Sequence, residues 1–532
     1  MDTLYPRPEW LKQAIFYEIY PQSFQDSNGD GIGDIQGIIS RLDYIRSLGA
    51  TAIWLNPCFD SPFKDAGYDV RDYTQVAPRY GSNADLIQLF EAAHARDMHV
   101  ILDLVPGHTS EEHKWFLKGS QRKAADRGEF SDRHIWTDSW MAGGAGYPFI
   151  GGETERNATY ILNFFKCQPA LNYGWAHPQY SWQSPVLGDT ARATATAMAD
   201  VMRYWLSRGA DGFRVDMADS LVKSDDKGKP ETIRTWRYIF DQVRPEFPQA
   251  AFVSEWGVPE FSMKAGFDMD FYLDWRWNEQ ANGYAMLLRD TSTPMERDGD
   301  ASYFNADSGT RIAPFLKEYV PQLRAAQAAG GSFSLITCNH DTVRLAPRLT
   351  DREIMLAYAT LLTMPGIPFI YYGDEIAMRY QDLPTKEGGY TRTGSRTPMQ
   401  WDASANMGFS TATAESLYLP VDPEVSAPQV AAQIGDPHSL WQLIHNVLEL
   451  RRLEPALQAD AGFDPHVIGD EKRSFAFWRY RDEHSVLVAV NPGRDPETID
   501  TAGRTSLVFG VGNPVLSEKM LVLPGQSFAV VR

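Results

Sequence analysis

Apolar and polar positions alternate along the first half of the chain in a strand–helix rhythm. Ile15–Tyr20 (IFYEIY), Ala52–Asn56 (AIWLN) and Val100–Val105 (VILDLV) are short apolar runs and read as buried strands. Residues 83–97 place Leu86, Leu89, Phe90 and Ala93 at helical spacing, and Ser82 with Asp85 resembles a capping box. Strand, helix, strand predicts parallel pairing through right-handed crossovers. The rhythm lapses over 106–172, which is rich in Gly, aromatic and polar residues and broken by Met141-Ala-Gly-Gly-Ala-Gly. That stretch is too long for a simple loop and predicts an inserted subdomain. A helix at 193–208 then leads into strands at Gly212–Asp216, Ala251–Glu255, Phe267–Leu273, Ser334–Asn339 and Pro368–Tyr372. Eight strands favour an α/β fold of the (β/α)8 TIM-barrel type over a doubly wound sheet. A last amphipathic helix at 438–452 carries Leu440, Leu443, Ile444, Val447 and Leu448 on one face. Beyond it the period falls to two, as in Phe475/Phe477 and Val486/Val488/Val490, predicting a C-terminal antiparallel β-sandwich domain. The expected division is barrel 1–105, subdomain 106–172, barrel 173–452 and β-domain 453–532.

Composition narrows the partners. At ~150 residues per domain, 532 residues allow three or four domains, and the pattern resolves three. Lys+Arg 50 against Asp+Glu 69 leaves a net charge of −19, which repels phosphate backbones and anionic lipid. No nucleic-acid or membrane partner is expected; the 15 Trp, 24 Tyr and 27 Phe suit a small uncharged sugar instead. Cys58, Cys167 and Cys338 are too few and scattered for a disulfide framework or a zinc site. No apolar run approaches the ~20 residues of a membrane span. The segment Met1–Pro8 lacks a basic region followed by an apolar stretch, so a cytoplasmic location is the expectation. Oligomeric state stays open.

The chemistry lies in the carboxylates. Asp103, Asp216, Glu255 and Asp341 each fall at, or within two residues of, the C-terminal end of an expected strand. In a barrel those ends share the face that carries active sites. Glycosidic cleavage needs one protonated carboxyl for the leaving oxygen and one ionised carboxylate for the oxocarbenium-like carbon. A single strand-end acid is as readily a helix cap. Four of them, with Arg214 two residues before Asp216 and with His108 and His340 placed to bond sugar hydroxyls, exceed that explanation.

Gly212-Phe-Arg-Val-Asp216, Ser254-Glu255, Asn339-His340-Asp341 and Asp103-Leu-Val-Pro-Gly-His108 resemble the four signature segments of the alpha-amylase superfamily of retaining glycoside hydrolases. Gln168-Pro-Ala-Leu-Asn172 and Arg396-Thr-Pro-Met-Gln-Trp-Asp402 are similar to strings of its oligo-1,6-glucosidase, alpha-glucosidase, trehalose synthase and sucrose isomerase group. The resemblance implies Asp216 as nucleophile, Glu255 as general acid/base and Asp341 as the acid that grips the distorted sugar. It also implies a glucose pocket of Asp65, Tyr68, His108, Phe164, Arg214, His340 and Arg396, although Tyr68 and Phe164 would serve equally as core. The leading expectation is an exo-acting α-glucosidase on short oligosaccharides working by double displacement. A transglucosylase or isomerase, an isomaltose-releasing enzyme and a non-catalytic relative are the alternatives, and the three intact acids disfavour the last.

Asp26-Ser-Asn28-Gly-Asp30-Gly-Ile32-Gly-Asp34 spaces oxygen ligands alternately, with Ile32 offering its carbonyl, as a calcium loop does. The family group has a calcium loop here, so structural calcium is expected. Three departures bear on specificity. Gly107 stands where the family usually has Asn and Ala170 where relatives have Asp, and Met217 follows the nucleophile where relatives carry Val, Ala or Thr.

Overall fold

The protein was examined as a computed structural model that describes residues 5–532 except 275, 278, 279, 389–391 and 467–471. Met1–Leu4 of the N-terminal segment discussed above lie outside the described residues. Eight parallel strands build the barrel: β1 Phe16–Ile19, β2 Ala52–Leu55, β3 His99–Leu104, β4 Gly212–Val215, β5 Ala251–Ser254, β6 Met269–Phe271, β7 Ser332–Ser334 and β8 Phe369–Tyr371. They pair in sequence order from β1 to β7, and β8 lies beside β1. Strands buried on both faces explain why the runs read as continuously apolar.

The aromatic excess fills the barrel interior. Trp54 of β2 stacks on Phe271 of β6 at 5.4 Å, Phe271 meets Phe369 of β8 at 4.9 Å, and Phe369 stacks on Phe16 of β1 at 4.4 Å. In β4, Gly212 has φ +148, and a Cβ there would stand 1.9 Å from the Ala251 carbonyl oxygen, so no larger residue starts this strand.

Strand β7 differs from its expected span. The ladder covers Ser332–Ser334, and the apolar run continues beyond it as a bridge, with Ile336 opposite Phe369. The cause is Thr337, whose hydroxyl accepts from the Tyr371 N–H at 3.2 Å and donates to Asp374 at 2.6 Å. A side chain thus takes the place of a ladder bond where the barrel closes.

After β3 the chain leaves the barrel. Residues 106–172 contain the short helix Lys114–Gly119 and the hairpin Phe149–Gly151 with Thr159–Ile161, over a small core of Phe116, Trp136, Ala158, Tyr160 and Leu162. The helix read at 193–208 runs Asp189–Leu206, and the one read at 438–452 runs Leu440–Leu453 with Ser439 as its cap. The capping box of Ser82 and Asp85 is present. The C-terminal strands form antiparallel sheets of five and three strands. Arg479 ties them to the barrel by donating to the Thr363 carbonyl at 2.5 Å and the Gln458 carbonyl at 2.6 Å.

Candidate active site

The C-terminal ends of the strands surround a cavity of about 690 Å³ lined by Asp65, Tyr68, His108, Phe164, Asp216, Met217, Asp219, Lys227–Lys229, Glu255, Trp256, Val258, Phe261, Asp341 and Arg392. Two other cavities, of about 560 and 580 Å³, lie at the opposite barrel end around Glu9–Lys12, and neither gathers the strand-end acids. The strand-end carboxylates therefore meet in one place.

Arg214 organises them. Two residues apart, Arg214 and Asp216 point to the same side at the end of β4. Its Nη1 donates to Asp103 Oδ1 at 2.9 Å and to Asp216 Oδ1 at 3.0 Å, and its Nη2 stands 2.9 Å from Glu255 Oε2. The guanidinium is buried and lies 5.2 Å from the centre of the Trp54 ring. One cation thus holds carboxylates from β3, β4 and the end of β5, which fixes their spacing through charge-assisted bonds. Burial and then the neighbouring Glu255 push Asp216 well above the ordinary carboxylate range, against the pull of Arg214.

Met217 sets the distance between them. It adopts a left-handed backbone, φ 41 and ψ 46, and its N–H donates to Glu255 Oε2 at 2.9 Å. A side chain with a Cβ in that region stores about 1 kcal/mol of strain, held by the structure around the site.

Ion pairs join two further carboxylates of the cavity wall. Arg392 bridges Asp65 and Asp341, the latter at 2.9 Å, and Arg396 Nη2 reaches Asp341 Oδ1 at 2.8 Å. Burial would raise Asp341, but His340, Arg392 and Arg396 outweigh it and hold the group well below the usual range, ionised. Gln168 donates to Asp65 at 2.7 Å, which gives the Gln168–Asn172 string a physical task. Tyr68 donates to Asp103 Oδ2 at 3.1 Å and sits 2.6 Å from His340 Nε2, so it belongs to the site rather than to anonymous core. Phe164 is 42% exposed at the rim, beside Phe165.

His108 is placed on the wall with both ring nitrogens occupied. Nε2 is 3.0 Å from the Tyr68 carbonyl oxygen, an acceptor, and Nδ1 is 3.1 Å from the Asn163 amide nitrogen, a donor. Burial pulls its pKa down to about 3, so it stays neutral with the proton on Nε2. The direct grip on a sugar hydroxyl anticipated for it is thus committed to protein partners. Ala170 is fully buried among Ile135, Ile161 and Trp175, away from the cavity lining.

Sequence reasoning singled out the strand-end acids and missed Glu18, Asn56, Asn163, Gln168, Lys223 and Arg392 as members of the site. Glu18, an acid inside an otherwise apolar strand, was the one available signal. Arg392 owes its role to a loop contact that no periodicity encodes.

The calcium residues share one loop. Asp26 accepts from the Asn28 N–H at 3.0 Å, Asn28 from Asp30 at 2.9 Å and Asp30 from Ile32 at 2.9 Å, a succession of Asx turns that winds the loop. Asp26 also accepts from Gly31 N–H at 2.8 Å and Ser410, while Asp34 caps the helix Ile35–Ser40. Among the described residues no three His, Cys, Asp or Glu form a metal cluster. A calcium ligand set here would add the Asn28 amide oxygen and the Ile32 carbonyl to Asp26, Asp30 and Asp34.

Residues 18–460 match the alpha-amylase catalytic-domain family. An oligo-1,6-glucosidase of Heyndrickxia coagulans is 30% identical, with 92% of this chain and 94% of that protein covered. A trehalose synthase/amylase of Mycobacterium tuberculosis is 32% identical over 93% of this chain and 84% of its own length. Among solved structures, an isomaltulose synthase variant of Erwinia rhapontici in complex with its natural substrate sucrose superposes with a TM-score of 0.79 at 23% identity, covering 98% of this chain and 99% of that one. The barrel, the three acids held at its strand ends and a match spanning 18–460 lead to one conclusion: this chain is a glycoside hydrolase of the alpha-amylase family.

Proposed function

We propose that the protein is a retaining, exo-acting α-glucosidase that removes glucose from the non-reducing end of short α-gluco-oligosaccharides. The observation that carries this reading is the bridging of Asp103, Asp216 and Glu255 by Arg214 beside a cavity that also takes in Asp65 and Asp341, both paired to Arg392. Asp216 attacks the anomeric carbon while Glu255 gives its proton to the leaving oxygen, forming a glucosyl ester on Asp216. Water then attacks that carbon, Glu255 takes the water's proton, and Asp216 departs as carboxylate. Asp341, held ionised by His340, Arg392 and Arg396, accepts ring hydroxyls and favours the distorted sugar. Glu255→Gln is expected to lower kcat/KM on an unactivated α-glucoside by at least a hundredfold, the scale of general acid catalysis. Activity within tenfold of wild type would contradict the assignment.

A second reading, glucosyl transfer or isomerisation, draws on the acceptor side. Met217, Trp256, Val258 and Phe261 present apolar surface there, and the Phe261 ring faces Gly228 with 3.7 Å between ring and a built Cβ. Such walls hold a departing sugar near the ester against water. High-substrate product analysis separates the readings, since transfer keeps free glucose minor. The relatives include both a glucosidase and a trehalose synthase/amylase, which suits either.

The reading extends to a structural calcium in the loop of Asp26, Asn28, Asp30, Ile32 and Asp34, remote from the reacting carbon. Three free thiols suit a reducing, cytoplasmic setting.

A further inference from the structure

We propose that Glu18, at the end of β1, is a positioning residue for the reaction: its carboxylate orients His340 and keeps the His340 Nε2–H directed at Tyr68 and Asp341. The argument rests on a continuous chain of short contacts. Glu18 Oε1 is 2.8 Å from His340 Nδ1, and Asn56 Nδ2 stands 3.1 Å from that same oxygen and 3.1 Å from Nδ1. On the other side of the ring, Nε2 is 2.6 Å from the Tyr68 hydroxyl and 3.3 Å from Asp341 Oδ2. Tyr68 spends its own proton on Asp103, and Asp103 holds Arg214, which holds Asp216 and Glu255.

The direction of donation follows. A hydroxyl that donates to Asp103 must accept from His340, so Nε2 carries a proton. On Nδ1 the neighbour is a carboxylate, which is an acceptor, so that nitrogen carries one too. The doubly protonated ring is an imidazolium, and Glu18 is its counter-ion. Both side chains are 0% exposed, and Glu18 Oε2 has no hydrogen-bond partner, so an ionised Glu18 beside a neutral ring would be a poorly compensated buried charge. The Asn56 Nδ2 hydrogens serve the Glu18 oxygen.

Every element around the ring contributes to its state. Glu18 faces it from β1, the Trp54 ring edge at 5.8 Å from β2, Asn56 from the loop after β2, Tyr68 from the following loop, and Asp103 from β3. Asp341 adjoins it on its own loop, and Arg396 donates to the His340 carbonyl at 2.8 Å. Burial would lower the ring's pKa, but Asp341 and then Glu18 outweigh it and hold it at about 9. Without Glu18's charge the ring loses its Nδ1 counter-ion as pH rises. It then settles as the tautomer that donates from Nδ1 to an amide oxygen, and Nε2 no longer donates to Tyr68 and Asp341.

The test is Glu18→Gln, followed as a pH profile of kcat/KM on an aryl α-glucoside. The expected result is an alkaline limb shifted by about one pH unit toward acid, about threefold lost activity at pH 8.5 rising toward tenfold by pH 10, and near wild-type activity at pH 5.5. Glu18→Asp, which restores the charge, should recover part of the limb. A uniform loss at every pH with an unmoved limb would overturn the proposal. An independent arm uses wild-type protein labelled with 15N-histidine, with the His340 signals assigned by their loss in His340→Gln. Both ring nitrogens should be protonated at pH 8, and a neutral ring there would overturn the proposal even if the variants fold poorly. The kinetic arm rests on the glucosidase reading, whereas the labelled-ring arm does not, so failure of one is distinguishable from failure of the other.

Discussion

At position 107 a Cβ would stand 2.8 Å from the Asn163 amide nitrogen, and that amide is already engaged. It lies 3.1 Å from His108 Nδ1, its oxygen accepts from Lys223 Nζ at 3.0 Å, and Met217 Sδ is 4.0 Å away. Gly107 and Met217, two departures far apart in sequence, therefore meet through Asn163. Lys223, buried with only carbonyl acceptors, is drawn down to about 8 by burial and then by Lys229. Restoring the family's residue alone should be harmful: Gly107→Asn drives Asn163 from its place at a cost of about 1–3 kcal/mol. Adding Asn163→Gly in that background should recover more than half of the lost thermal stability and kcat/KM. Simply additive losses in the double variant would show that the two positions are independent.

At the scale of elements, Asp216 and Glu255 were legible because each directly follows a strand whose apolar run stands out and whose successor is a polar turn. Glu255 follows β5 directly, and Arg214 and Asp216 differ by the strand period of two. Asp341 was legible as the acid two residues past the apolar run Ser334–Asn339, although the β7 ladder ends at Ser334 and the chain from Leu335 onward follows side-chain bonds such as those of Thr337. Arg392 and Asn163 sit in loops whose positions are set by partners, so pattern gave no access to them. The loop of Asp26–Asp34 is the element with a metal at stake. If calcium binds it, a concentration a hundredfold above Kd adds about 2.7 kcal/mol of stability. Stripping with a chelator should then lower Tm by about 2–3 °C, and added calcium should restore it. A Tm indifferent to both treatments would remove calcium from the account.

For the whole molecule, the net charge of −19 resolves into distinct populations. Part of it is buried around Arg214, Arg392 and Arg396, where each carboxylate has a cation. Much of the aromatic excess is structural, stacked through the barrel interior by Phe16, Trp54, Phe271 and Phe369 rather than spent on sugar. What remains for the ligand is the rim of Phe164, Trp256 and Phe261 around a cavity of about 690 Å³. The central claim is that this cavity makes a covalent glucosyl ester on Asp216. With Glu255→Gln and an aryl α-glucoside, whose leaving group needs little acid assistance, the ester should accumulate because its hydrolysis lacks a base. Acid quenching and peptide mass mapping should then find a single added hexose on the peptide carrying Asp216, absent when Asp216→Asn is introduced. No adduct, or an adduct on any other residue, would contradict the account.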